Sequence, residues 1–205
     1  MRTVLFEGQP VTPSKIVCVG RNYVDHIREL GNVIPDQMVL FNKPNGAIAE
    51  RLCAFHQQQP LHYEGELCFL VKNQQLAGVA VGLDLTKRAL QSELKSKQLP
   101  WERAKAFDGS AMFSRFISLD GLDVAQLSLE VLINCVRVQC GAVSHMLYSP
   151  TSILDEVMAY SRLEDGDILM TGTPQGVGTV EQGDIFTLRL KHGERILLET
   201  EWAAQ

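Results

Sequence analysis

Eight short apolar runs, rich in β-branched and aromatic residues, dominate this chain and leave room for little else. They lie at Lys15–Val19, Met38–Phe41, Glu66–Val71, Ala77–Leu83, Met112–Ser118, Leu127–Val138, Asp167–Thr171 and Ile185–Leu190. Turn signals separate them: Asn45-Gly46, Asp108-Gly109, Asp120-Gly121, Asp165-Gly166 and Gln182-Gly183. Two segments read as helix. Thr86 to Leu99 is polar, with Leu90 and Leu94 one turn apart, and Pro100 stops it. Pro150 to Ser161 has Ser149 as its cap and Pro150 at its first position. Its Ile153, Leu154, Val157 and Met158 make one apolar face. A third, very short helix is expected from Tyr23 to Leu30, ended by Gly31. The regular strand–helix alternation of a doubly wound sheet is missing. The expected class is therefore mostly β with short helices, an α+β chain.

With 205 residues, the chain has the length of one domain and can bury a core without staples. An apolar fraction of 45% and a charged fraction of 21% exclude a disordered chain, a coiled coil and a collagen-like repeat. The net charge of −5 argues against nucleic acid and anionic membrane surfaces as partners. No run reads as a membrane span. The longest stretch without a charged residue, Val138 to Leu154, is broken by Gln, Gly, His, Ser and Pro. Met1 to Gly20 has no signal-peptide core, because Glu7 interrupts it, so a cytoplasmic protein is expected. Cys18, Cys53, Cys68, Cys135 and Cys140 are odd in number and lack C-x-x-C spacing. Cys18, Cys68 and Cys135 lie within apolar runs, where a thiol acts as a small hydrophobe.

The most informative segment for chemistry is His62-Tyr63-Glu64-Gly65-Glu66-Leu67. Residues two apart on a strand share a face, so Glu64 and Glu66 aim two carboxylates at one place, with His62 beside them. Adjacent carboxylates repel unless they share a proton or a cation. A hard divalent ion such as Mg²⁺, Mn²⁺ or Ca²⁺ resolves the conflict. Alone, such a pair is more often a solvated strand face. Asp84, closing the next apolar run, shifts the balance, because a hairpin would return it to the start of the first strand. A second candidate is His26 with Glu29, three residues apart on the short helix after Gly20 and Arg21. A carboxylate orients an imidazole and raises its basicity. A surface ion pair is the plainer explanation of that spacing. Lys105 stands between apolar residues, a setting in which a lysine is ordinarily exposed. Arg88 and Gln91 share a helix face just after Asp84. The loop Thr171-Gly172-Thr173-Pro174-Gln175-Gly176-Val177-Gly178 lacks a following helix and a G-K-[ST], so it is not a nucleotide loop. Its glycines would let backbone N–H groups approach a small anion.

In order along the chain, these pieces resemble the fumarylacetoacetate hydrolase superfamily, and within it the short, single-domain acylpyruvase and oxaloacetate decarboxylase type. The resemblance runs from about Lys15 to Leu190. Its pieces are Val19-Gly20-Arg21-Asn22-Tyr23 with His26 and Glu29, Phe41-Asn42-Lys43-Pro44, and His62 to Leu67. They continue with Leu83-Asp84-Leu85-Thr86 with Arg88 and Gln91, Lys105-Ala106-Phe107-Asp108, and Gly166-Asp167 followed by Thr171 to Gly178. The resemblance implies a single catalytic domain over residues 1–205, with residues 1–14 as a short N-terminal extension. It also implies a mixed β-sandwich roll and a homodimer. By the same resemblance, Glu64, Glu66 and Asp84 hold Mg²⁺ or Mn²⁺. His26, Glu29 and Lys105 are catalytic. Arg21, Arg88, Gln91, Gly172, Thr173 and Pro174 contact substrate, and His62 is a supporting residue. Two departures fall away from those positions: Asn134-Cys135 stands where members often carry Asn-Gly, and Ser114-Arg115 where a Gly-Pro is usual.

A small 2-oxo acid fits this set, because its carboxylate and 2-oxo oxygens chelate one cation. Bond cleavage next to C3 leaves a pyruvate enolate whose charge the metal stabilises. The first expectation is hydrolysis of acylpyruvates such as fumarylpyruvate or acetylpyruvate, because a His–Glu dyad activates water. Oxaloacetate decarboxylation or keto–enol tautomerisation is the alternative. Isomerisation or hydration of aromatic-catabolic 2-oxo dienoates is a further one. All of them share the chelated enolate.

Overall fold

The structure, a computed structural model, describes residues 1–29, 31 and 33–205. Two sheets carry the architecture. Their strands are β1 (Lys15–Gly20), β2 (Val39–Pro44), β3 (Gly65–Lys72), β4 (Gln75–Asp84), β5 (Ala111–Phe113), β6 (Ile117–Ser118), β7 (Leu127–Ile133), β8 (Val136–Ala142), β9 (Ile168–Met170), β10 (Ile185–His192) and β11 (Arg195–Ala203). The larger sheet has the order β5-β4-β3-β9-β1-β2, with β6 also paired to β4. It is mixed, since β9 runs parallel to β1 and antiparallel to β3. The smaller sheet, β8-β7-β10-β11, is antiparallel throughout. The chain is mostly β and the sheets are curled against one another, as its sequence class implies.

Continuous apolar runs form the larger sheet because it is covered on both faces. Val17, Val19, Leu67, Phe69, Val79 and Val81 point to one side and pack with Leu127, Leu129, Val131, Phe186, Leu188 and Leu190 of the smaller sheet. Their neighbours Ile16, Cys18, Cys68, Leu70 and Ala80 point to the other side. There residues 1–14 supply a cover: Val4–Phe6 and Gln9–Val11 pair as a hairpin, and Val4 and Phe6 join the second cluster with Phe116. The buried Asp167 carboxylate fixes where β1 begins, accepting from Ser14 N and Oγ at 2.8 and 2.7 Å and from Glu164 N at 2.9 Å.

Among the described residues, four α-helices complete the fold: α1 (Val24–Glu29), α2 (Arg88–Ser96), α3 (Glu102–Lys105) and α4 (Pro150–Tyr160). The first corresponds to the expected short helix, whose last residue, Leu30, lies outside the described residues. Ser149 caps α4 by accepting from Ser152 N at 3.1 Å. Its buried face holds Ile153, Leu154 and Val157, but Met158 is exposed, one turn position too far round. No helix among the described residues is long and apolar enough to cross a membrane.

Two expected strands are broken. Met112–Ser118 divides into β5 and β6, and Ser114 between them accepts a hydrogen bond from Val81 N at 3.2 Å. Leu127–Val138 is a hairpin, turned at Asn134 and Cys135, both left-handed with φ of 49° and 68°. Cys135 is therefore an exposed turn residue and not a core thiol, whereas Cys18 and Cys68 are buried. All five cysteines are free. A left-handed β-carbon costs about 1–2 kcal/mol, and the two-residue turn favours Gly at its second position. Cys135→Gly is expected to raise the unfolding free energy by about 1 kcal/mol, after the entropy that glycine adds to the unfolded chain. Urea denaturation measures this, and an unchanged or lower midpoint contradicts it.

Candidate active site

The site is built where the β3–β4 hairpin ends. Gly65 pairs with Leu83, and Asp84 N donates to Glu64 O at 2.9 Å. The pairing continues outward through His62 and Thr86, which exchange backbone bonds of 2.9 and 3.0 Å. Alternation then puts Glu64 and Glu66 from one strand and Asp84 from its partner on one face. One carboxylate oxygen from each lies within 4.8 Å of the others, and all three side chains are buried.

Three cations answer these charges. Lys105, on α3, donates to Glu64 Oε2 at 2.8 Å, to Asp84 Oδ2 at 2.6 Å and to Thr86 Oγ1 at 2.6 Å. It is only 2% exposed, contrary to the ordinary behaviour of a lone lysine. Arg88, at the start of α2, pairs with Glu64 Oε1 and donates to Gln91 Oε1 at 2.8 Å. Lys43, on β2, is fully buried and 2.8 Å from Asp84 Oδ1. Its other bonds go to the carbonyl oxygens of Lys105 and Ser110. That approach to Asp84 is off the hydrogen-bonding direction, so Oδ1 accepts no aligned bond.

The titration of the carboxylates follows. Burial opposes ionisation of Glu64, but Lys105 and Arg88 outweigh it and hold its carboxyl well below the usual range. Glu66 goes the other way: burial first, then the Asp84 and Glu64 charges, push it well above that range, against a 2.8 Å bond from Gly172 N. Lys105 is desolvated, but Asp84 and Glu64 more than restore its charge. Among the described residues, Glu66 is thus a buried acid without a cation of its own, and Asp84 Oδ1 faces the Lys43 ammonium but accepts no aligned hydrogen bond. Oxygen-only donors of this kind fit a hard divalent cation.

Above the carboxylates sits α1. His26, buried, faces the cleft, and its Nδ1 is 3.0 Å from Glu29 Oε2. Glu29 is held in turn by Gly176 N, which donates to its Oε1 at 2.9 Å. The narrow cleft, with about 30 Å³ of free volume, is lined by Arg21, His26, Phe41, Arg88, Gln91, Lys95, Trp101, Lys105, Thr173 and the three carboxylates, among others. A larger cavity of about 560 Å³, around Arg51, Phe55, His56 and Asp108, contains none of the clustered chemistry.

Of the residues expected from sequence, His26, Glu64, Glu66, Asp84, Arg21, Arg88, Gln91, Lys105 and Thr173 meet in this cleft. Glu29 reaches it through His26. Gly172 reaches it through its amide. That amide binds the protein's own Glu66, where the sequence suggested an outside anion. Pro174 is turned away, into a separate cavity of about 190 Å³ with Tyr23 and Cys140. His62 stands aside, with Nε2 3.5 Å from Thr179 Oγ1. Lys95, Trp101 and Gln139 carry no mark in the sequence, whereas Lys43 belongs to the Phe41-Asn42-Lys43-Pro44 piece of the resemblance without a role of its own. The buried Gln139 amide donates to Thr173 Oγ1 at 2.9 Å and accepts from Gly65 N at 2.9 Å, tying the loop to β3.

The profile described as fumarylacetoacetate (FAA) hydrolase C-terminal matches residues 15–201. An oxaloacetate tautomerase of Escherichia coli is 34% identical, over 85% of this chain and 87% of the relative. A mitochondrial oxaloacetate tautomerase of Bos taurus is 38% identical, over 82% and 83%. Among solved structures, a fumarylpyruvate hydrolase from Pseudomonas aeruginosa, in complex with Mn²⁺ and pyruvate, superposes with a TM-score of 0.89. It is 26% identical, with 99% of this chain and 95% of that one covered. The chain belongs to the fumarylacetoacetate hydrolase family.

Glu66→Gln tests the carboxylate cluster in two opposite directions. It should weaken Mn²⁺ binding by about a hundredfold, a loss of about 2.8 kcal/mol, measured by calorimetry. It should also raise the melting temperature of the metal-free protein, because a neutral amide removes the repulsion. Glu66 is raised in the folded state, so the metal-free wild type should lose stability as pH rises through that raised value. Unchanged Mn²⁺ affinity would remove Glu66 from the donor set.

Proposed function

We propose that this member of the fumarylacetoacetate hydrolase family is a divalent-metal-dependent tautomerase that interconverts the enol and keto forms of oxaloacetate. The observation that carries the reading is the His26–Glu29 pair, a proton-transfer dyad set over a buried three-carboxylate cluster in a chain whose curated relatives are named oxaloacetate tautomerases. The first expectation from sequence, acylpyruvate hydrolysis, becomes the second reading.

The chemistry asks for a proton moved between C3 and the oxygen on C2. Glu29 accepts from His26 Nδ1, which leaves Nε2 free to take or return the C3 proton. Glu64, Glu66 and Asp84 would hold Mg²⁺ or Mn²⁺, and such an ion would supply Lewis-acid stabilisation of enolate charge. Arg88 and Gln91 hold the substrate's 2-oxo acid end. Lys105 keeps a positive charge beside the developing oxyanion, and Thr173 closes the wall.

One observation favours the second reading. The fumarylpyruvate hydrolase that shares this fold is described with Mn²⁺ and pyruvate, the metal and product that acylpyruvate cleavage would involve. In that reaction His26 would deprotonate water.

The deciding assay follows the enol absorbance of oxaloacetate with chelator-stripped protein, before and after Mg²⁺, with pyruvate quantified at the end point. Tautomerisation predicts Mg²⁺-dependent enol loss without pyruvate. Stoichiometric pyruvate from oxaloacetate would mean decarboxylation, and stoichiometric pyruvate from acetylpyruvate would mean hydrolysis. His26→Gln should slow enol decay by about 10²–10⁴-fold. A fall smaller than threefold would take the proton transfer away from His26.

A further inference from the structure

Lys95 is a cleft residue that none of the chemistry above employs. It lies on the last turn of α2, seven residues after Arg88 and four after Gln91, so the three share a helix face. All three line the cleft, and Lys95 stands roughly 10 Å along the helix axis from Arg88. Its ammonium sits 4.8 Å from the centre of the Trp101 ring, and Trp101 leans on Phe41 with ring centres 6.0 Å apart. Among the described residues, no carboxylate lies within ion-pair distance of Lys95.

The charges that Lys95 feels are mostly of its own sign. Burial, then Arg21 and Arg88, bring its pKa down to about 8, with Lys105 adding to the effect and Glu64 alone opposing it. Glu64 is already engaged by Lys105 and Arg88. A half-buried cation ringed by cations is an unfavourable arrangement that an incoming anion would relieve. At the inner end, Lys43, Lys105 and Arg88 pair with Glu64 and Asp84, and their three positive charges equal in number the three carboxylates. A divalent ion added there would leave the cleft positive at both ends.

We propose that Lys95, seated on Trp101, is a specificity-determining residue that receives the second carboxylate of a 2-oxo dicarboxylate, while Arg88 and Gln91 take the 2-oxo acid end. This rests on the reading that the cleft accepts oxaloacetate. It deepens that reading by naming dianions, in preference to monocarboxylic 2-oxo acids, as the substrate class. The plain alternative is that Lys95 only packs on Trp101 as a surface cation.

The test is binding, so that it does not depend on turnover. Calorimetry on Mg²⁺-loaded protein compares 3,3-difluorooxaloacetate, which has two carboxylates and no C3 proton, with pyruvate, which has one carboxylate. Lys95→Met should weaken the difluoro ligand by about tenfold to a hundredfold, the worth of a charge-assisted contact, and shift pyruvate by less than twofold. Lys95→Arg should restore most of the affinity. Equal losses for both ligands, no loss for the dicarboxylate, or no rescue by arginine would each overturn the proposal. A wild-type protein that selects the dicarboxylate through Lys95 but leaves the enol unchanged would keep this inference and sink the tautomerase. Enol turnover with a KM that Lys95→Met does not alter would do the reverse.

Discussion

Three carboxylates buried within one small volume are the constraint that the rest of this structure serves. Such a cluster is costly unless every charge has an answer, and breaking one partner leaves a buried charge exposed to the others. The answers come from three separate elements: Lys43 from β2, Lys105 from α3 and Arg88 from α2. The ends of those elements are therefore held together by the site as much as by the core. Lys43 shows the coupling most directly. It bonds the backbone carbonyls of Lys105 and Ser110, so the edge strand of the sheet fixes the short helix that carries the second lysine. Glu66 alone lacks a cation, which makes it the place where an added divalent ion gains most.

The sheet makes this placement possible. A strand covered on both faces lets apolar side chains alternate to either side without a solvent-exposed register to slip into. Leu67 and Phe69 face the smaller sheet, while Cys68 and Leu70 face the N-terminal hairpin. Glu64 and Glu66 stand where β3 emerges from that double cover, and Asp84 stands where β4 ends. The carboxylates gather at the sheet's rim because that is where pairing persists but apolar packing stops.

Much of this was legible in sequence, for a physical reason. Period-two alternation is local, so Glu64 and Glu66 announce a shared face, and Asp84 needs only a hairpin to join them. His26 and Glu29 are similarly local, one helical turn apart. The answering cations are not local. Lys43 and Lys105 look like ordinary lysines until tertiary contacts bury them, and Lys95 acquires meaning only from Trp101 and the arginines around it. Local turn chemistry misled where it was atypical. Asn134-Cys135 lacks the glycine that marks a two-residue hairpin, so one apolar run concealed two strands. Met158 misled for a milder reason, because an apolar stripe read from spacing is wider than the strip of helix that a sheet covers.

The loop from Thr171 to Gly178 joins the two halves of the chemistry. Gly172 N donates to Glu66 and Gly176 N donates to Glu29. One short segment thus holds one acid of the carboxylate cluster and the acid that orients the imidazole. Both amides depend on left-handed backbone, with φ of 94° and 100°. At Gly176 a β-carbon would fall 2.0 Å from Val138 O, and at Gly172 one would fall 2.9 Å from Asn22 Cβ. A larger residue at either place would have to move the loop, and the loop cannot move without carrying an acid with it. The position of the His26 imidazole over the carboxylates is therefore set by backbone, through Gln139 and its bonds to Thr173 and Gly65, more than by the side chains themselves. That rigidity explains how a helix of six residues, too short to be stable alone, can present His26 at a fixed height above the carboxylates.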